Sequence, residues 1–408
     1  WRSIGSLENL LGNGFSIPNN LYALYMRKET VVYAILIFVA MLSLTLMAPV
    51  IKEFIIDRFN VSNTVASLFF TLEMLAYVIF AVFWGSLSDM CGKRRPFIIF
   101  GFGSSAIMYF WMAQVNSLFS LLILRFIQGA VTVMAWSIVM TAALDGVDKR
   151  DHGRTMGVIG MAMMFGMGSG APIGGLLAAK YGIFFPMYFA SSLFLAGMLI
   201  AIALVPESHI ANKPDTMRES INVLLEKRDL AIPFVFGFID RFTVAFFIFA
   251  FPLYMSEAFG SGTAERGMYQ ALLLLPLVLL QYPFGMLSDK IGRAIPLVIG
   301  SFFYGLEMCM VGFVGKEALI ALMLCCGIFA AMMFPASIAL VGDISPQNKR
   351  GAAIGGFNLS GSLGFVVGFA AAGILSDIYG YTSSFIMGGL SEILVALIMI
   401  PFLLKIMK

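Results

Sequence analysis

The residues in this chain that could do chemistry are the few charges set deep inside long apolar runs. Glu73 lies mid-run, with Tyr77, Phe80 and Trp84 on its helical face. Arg125 lies in another run, and Gln128, Thr132 and Trp136 follow it at steps of 3, 4 and 4, which puts all four on one face. Asp240 and Arg241 are adjacent in a third run, with Thr243, Phe247 and Phe251 on the Asp240 side. An unpaired Arg in a bilayer costs from about 2.5 to over 10 kcal/mol, so Arg125 requires a partner or water. A carboxyl group withdrawn from water can bind and release a proton near neutral pH. Asp240 and Glu73 are therefore candidate proton-coupling groups, with Arg125 and Arg241 as associated candidates. The competing reading is structural: Asp240 neutralised by Arg241 or another helix, and Arg125 held in a charge pair within the bundle. Gln128, Thr132, Trp136, Tyr77, Thr243 and Phe247 are candidate walls of a substrate cavity.

The elements that must position these charges are membrane helices. Of 408 residues, 60% are hydrophobic and 12% charged, against about 25% charged in a soluble domain. Apolar runs near the ~20 residues that a bilayer requires fall roughly at 31–51, 64–84, 97–115, 118–143, 156–179, 184–205, 232–256, 268–286, 296–314, 317–341, 352–375 and 382–404. The polar stretch 206–231 reads as a linker between bundles 31–205 and 232–408, and residues 1–30 as a cytoplasmic, interfacial segment rather than a signal peptide. Nineteen of the 26 Lys and Arg fall on one side of this arrangement, five on the other, and Arg125 and Arg241 within spans. That bias places both termini and the linker in the cytoplasm. The four cysteines show neither a disulfide framework nor metal spacing, and no metal or cofactor is expected. No phosphate-loop signature and no basic tract occurs, which argues against an ATP-driven pump and a nucleic-acid binder.

A repeat organises the whole chain. Gly85 to Pro96, GSLSDMCGKRRP, returns 200 positions later as Gly285 to Pro296, GMLSDKIGRAIP. Gly85/Gly285, Leu87/Leu287, Ser88/Ser288, Asp89/Asp289, Gly92/Gly292 and Pro96/Pro296 match at identical offsets, which means two homologous halves. Gly85 and Gly92 suit close helix approach and a tight turn. Asp89 opens the loop, and Lys93, Arg94 and Arg95 offer partners to carboxylates such as Asp145. Such a cluster would latch the two halves together on the cytoplasmic face, in the outward-open state, and release as they rock. The second copy keeps Lys290 and Arg293 as its bases, so its latch, built on Asp289, Gly292 and Arg293, is expected to be weaker.

The doubled loop resembles that between the second and third helices of the major facilitator superfamily. Arg125-x-x-Gln128-Gly129 resembles a motif that the family links to proton movement. Gly170-Ala171-Pro172-Ile173-Gly174-Gly175 is a degenerate form of the Gly-Pro-x-x-Gly-Gly signature of its antiporters, and Leu46 to Val50 looks like the twelve-span drug–proton branch. The resemblance implies an all-α membrane protein of twelve helices in two six-helix bundles. It implies alternating access around a midplane site, a gating role for the loop motif, no enzymatic activity, and a monomer whose partners are a small-molecule substrate, protons and the lipid bilayer of the cell membrane. Because outer spans of the family usually face lipid or support the bundle, Glu307 and Glu392 rank below Asp240 and Glu73. Proton-driven export of a small apolar or amphipathic compound is the leading expectation. The rivals are a sugar or organic-acid carrier, as symporter or uniporter, and a non-transporting sensor with the same fold.

Overall fold

A computed structural model describes residues 28–145, 147, 152–206, 227–346 and 349–406. The expected N-terminal segment, except 28–30, and most of the expected linker lie outside them. The helices are α1 (Lys28–Thr45), α2 (Asn63–Cys91), α3 (Arg95–Gln114), α4 (Leu118–Asp145), α5 (His152–Tyr181), α6 (Phe185–Leu204), α7 (Ala231–Phe259), α8 (Thr263–Ile291), α9 (Ala294–Met310) and α10 (Lys316–Ile344). The last element, Arg350–Ile406, breaks at Gly380 (φ 77, ψ 167) into two arms, α11 and α12. Among the described residues eleven elements are long and apolar enough to cross a bilayer, with Arg350–Ile406 counted as one, and its break at Gly380 makes twelve helices.

Helices α2 and α8 run past the expected span ends, to Cys91 and Ile291. Asp89 and Asp289 therefore sit in the last helical turn rather than opening a loop. A wider periodicity explains these ends. The pattern Gly-x-Leu-x-x-x-x-Gly closes α2 (Gly85–Gly92), α5 (Gly175–Gly182), α8 (Gly285–Gly292) and α11 (Gly373–Gly380), and all four terminal glycines have positive φ. A left-handed residue stops a helix and turns the chain into the next one. The unit of repetition is thus three helices, used four times.

Within the first six helices α1 packs on α5, α2 on α4, and α3 on α4 and α6. In the last six α8 packs on α10, α9 on α10 and α12, and α7 on α11. The sixes meet along α5–α8 and α2–α11. Glycine makes the tightest of these contacts possible: a Cβ on Gly174 would lie 1.9 Å from the Leu46 carbonyl oxygen, and one on Gly175 2.3 Å from that of Thr263. The α5 glycines therefore serve close packing against α1 and α8.

Candidate functional site

Arg125 is fully buried and fully partnered. Its guanidinium pairs with Glu73 Oε2, donates to Gln128 Oε1 at 2.9 Å and to the Phe69 carbonyl at 3.1 Å, and lies 4.0 Å from the Phe69 ring centre. The Gln128 amide donates to Glu73 Oε1 (3.2 Å) and Thr132 Oγ1 (2.8 Å), and Tyr77 donates to Glu73 Oε1 (3.3 Å). Thr132 meets Ser105 at 2.9 Å. The helical spacing of Arg125, Gln128 and Thr132 thus builds one closed network between α2, α3 and α4. Glu73 is held in a charge pair in this conformation, and Gln128 and Thr132 face that pair and line neither of the clefts described below. Trp136 lies 5.9 Å from the Tyr77 ring, and its indole N–H has no partner among the described residues.

In the second half the adjacent charges diverge. Arg241 points toward α10 and α11, its guanidinium 5.4 Å from the rings of Phe334 on α10 and Phe357 on α11 and against Gly361. The half-buried Asp240 makes no ion pair with it, and its carboxyl has no hydrogen bond among the described residues. Arg241 acts on Asp240 through space, without a hydrogen-bonded pair. Thr243 faces away from the clefts, toward Glu392 Oε2 at 3.0 Å. Glu392 is fully buried within the bundle.

Two small clefts lie between the halves. One is lined by Thr45, Ala48 and Ala171 from the first half and by Phe247, Ile248, Phe251, Gln270 and Met323 from the second. The other adds Leu44, Phe70, Met74, Phe365 and Phe369. Of the six expected cavity residues Phe247 alone lines them. Gln270 went unnoticed in the sequence. Pro252 lacks an N–H, which leaves the Ile248 carbonyl without its helical donor. The Gln270 amide supplies one at 3.2 Å, donates to Phe247 O at 3.0 Å, and keeps its own Oε1 unpartnered among the described residues.

The loop motifs form two matching charge clusters. Arg94 bridges Asp89 (2.6 Å) and Asp145 (2.9 Å) and bonds to Ser88. Arg293 bridges Asp289 and Asp343 (2.9 Å) and bonds to Ser288 (3.0 Å). Each carboxylate sits at a helix C-terminus and each arginine at a helix N-terminus, unfavourable placements that pairing neutralises. Partial burial pulls the Arg293 guanidinium down, but its hydrogen bonds to Asp343 and Asp289 outweigh this and hold it above its ordinary value. Each cluster lies within one half, so neither joins the halves in this conformation. The second has the same connections as the first, but its ion pairs are more exposed. Matching offsets pair Arg293 with Lys93, yet Arg94 does its work, while Lys93 is exposed; Gly92 (ψ 16) and Gly292 (ψ 158) start the next helix differently. Gly85 lies in open space rather than at a close approach, and a Cβ on Gly285 would meet Pro335 at an ordinary 3.8 Å.

The halves are joined at the end opposite these loops. The buried Arg266 pairs with Glu53. Asp377 accepts from the N–H groups of Asn63 (3.0 Å) and Thr64 (2.7 Å) and from Thr64 Oγ1 (2.6 Å), capping the start of α2 from the other half. Tyr381 donates to Asn63 Oδ1 at 3.0 Å, and Thr263 to the Gly175 carbonyl at 3.0 Å. Asp377 lies in Leu375-Ser376-Asp377-x-x-Gly380, a third copy of the Leu-Ser-Asp-x-x-Gly of both loop motifs, and that copy was the overlooked signal.

Two six-helix units around interfacial clefts, sealed at one end and bearing buried charges, define a membrane transporter rather than an enzyme. The chain belongs to the Major Facilitator Superfamily, whose profile matches residues 33–236 and again 233–407. It is 27% identical over 387 residues to an uncharacterized MFS-type transporter of Methanocaldococcus jannaschii, covering 91% of this chain and 97% of that one. It is 24% identical over 368 residues to multidrug resistance protein 2 of Bacillus subtilis, covering 84% and 87%. Among solved structures, the bacterial homolog of the human lysosomal transporter Spinster, in an inward-facing and occupied conformation, superposes with a TM-score of 0.78 at 13% identity, over 96% of this chain and 97% of that one.

Proposed function

We propose that this transporter exports a small apolar or amphipathic compound in exchange for protons, by rocking its two halves about the clefts between them. The observation that carries this reading is the wall of those clefts. It is built of Phe, Met and aliphatic side chains, with Thr45 and Gln270 as its polar groups. A sugar or organic acid calls for several convergent hydrogen-bonding or charged groups, and this wall offers few. Adaptable Met and aromatic surfaces suit varied apolar ligands. The similarity to a multidrug resistance protein points the same way.

With the base-rich ends assigned to the cytoplasm of a cell membrane, the sealed end faces outward and the conformation is inward-facing. Glu53–Arg266 and Asp377 with the start of α2 then form the outer gate. The Arg94 and Arg293 clusters brace the inner ends of the two halves. Asp240 is the leading proton-coupling residue, because its carboxyl is uncommitted, whereas Glu73 is neutralised by Arg125. The test is transport of a hydrophobic cationic dye in proteoliposomes under an imposed pH gradient. Export that collapses when the gradient is dissipated supports the reading. Flux indifferent to the gradient would favour a uniporter, and dye binding without flux a sensor.

A further inference from the structure

Glu392 is fully enclosed on α12, and no arginine or lysine bonds to it among the described residues. The charge that faces it is another acid, Asp240 on α7, and Tyr304 on α9 is the remaining titratable neighbour on the elements packed there, with Cys326 of α10 beside Tyr304. Cys309 of α9 packs on Gly389 and donates to the Ile386 carbonyl at 3.6 Å. Arg241, one residue from Asp240, is turned away against Gly361.

Hydrogen-bond accounting then decides where a proton sits. Thr243 Oγ1 lies 3.0 Å from three oxygens: the carbonyls of Ile239 and Asp240, and Glu392 Oε2. A hydroxyl has one proton to give and can accept others. A threonine inside a helix commonly spends that proton on the carbonyls three and four residues back, and the contact with Glu392 then needs a proton from the carboxyl. If Glu392 were ionised, it would be a fully buried anion with hydroxyls alone, Thr243 and Ser301, beside it among the described residues and a second acid facing it. A buried charge with no cation to pair with carries a large desolvation cost. A neutral carboxylic acid donating from Oε2 to Thr243 avoids that cost and leaves Oε1 as a carbonyl oxygen that the Ser301 hydroxyl can meet.

We propose that Glu392 is a resident proton-binding site of the second half, loaded in this conformation, with Asp240 as its route to water. Asp240 is half-buried and stands one helical turn from Thr243. The step is a simple transfer: the Glu392 O–H bond breaks as a carboxyl O–H bond forms on Asp240, the acid that faces it. The two halves thus neutralise their buried acids differently, the first with Arg125 and the second with a proton. The assignment of the proton stands apart from the export reading; its use in coupling rests on that reading.

Infrared difference spectroscopy on the purified full-length protein tests it. The wild type minus Glu392→Gln spectrum at neutral pH should contain a protonated-carboxyl carbonyl band. Thr243→Ala should shift that band, because its hydrogen-bond partner is gone. Asp240→Asn should slow the deuterium shift of the band several-fold. Absence of the band, in protein whose gel-filtration profile matches wild type, overturns the proton assignment. An unchanged deuterium-exchange rate in Asp240→Asn overturns Asp240 as the route. Loss of gradient dependence in wild-type transport would instead remove the export reading and leave the band untouched.

Discussion

Replacing Asp377 with alanine should unseal the end of the molecule opposite the loop motifs. Its carboxylate takes hydrogen bonds of 2.6, 2.7 and 3.0 Å from Thr64 and Asn63, residues of the other half. Hydrogen bonds to a charged group contribute about 1.5–3 kcal/mol each when buried. Here the carboxylate is exposed, and loss of a helix N-cap, the closer comparison, costs about 0.5–2 kcal/mol. We therefore assign about 1–2 kcal/mol to the cap. Because donors and acceptor belong to opposite halves, the contact exists only while this end is closed. Its loss should act wholly on the conformational equilibrium, and at 1.4 kcal/mol per factor of ten it should favour the open end by about 5- to 30-fold. Tyr381–Asn63 and Glu53–Arg266 remain, so the shift should be partial. Spin labels at exposed sites flanking Asn63 and Asp377 would report it as a growing long-distance population. A distance distribution identical to wild type, in protein of unchanged thermal stability, would refute the reasoning.

Three further outcomes follow from the packing. Arg125→Ala leaves Glu73 as an uncompensated buried charge and should cost about 3–5 kcal/mol in thermal or denaturant unfolding, part of which Glu73→Gln should restore. Gly174→Ala sets a Cβ 1.9 Å from the Leu46 carbonyl and should cost about 1–3 kcal/mol through forced separation of α1 and α5; wild-type stability would contradict the contact. Asp240→Asn should abolish gradient-driven transport while ligand binding persists, and intact coupling would remove Asp240 from the mechanism.

Much of the architecture was legible in the linear chain, because a bilayer imposes a length of apolar sequence that can be read directly. The twelve spans, the 200-residue repeat and the helix face of Arg125, Gln128 and Thr132 needed no coordinates. The requirement that Arg125 have a partner was also readable, since an unpaired guanidinium is so costly in lipid. Which acid met it was not, because Glu73 lies 52 positions away and helix rotation decides the pairing. The same holds for the second half. Adjacency in sequence suggested that Arg241 neutralises Asp240, but successive residues on a helix point about 100° apart, and the two side chains serve different neighbours. Glu392 ranked low because its span is an outer one, and only packing could turn it inward. Composition and period thus determined what must be buried and how often the chain crosses. The tertiary structure alone decided which buried groups meet, that the loop clusters lie each within one half in this conformation, and that Asp377 joins the halves at the opposite end, because those contacts depend on how helices distant in sequence are rotated and inclined against one another.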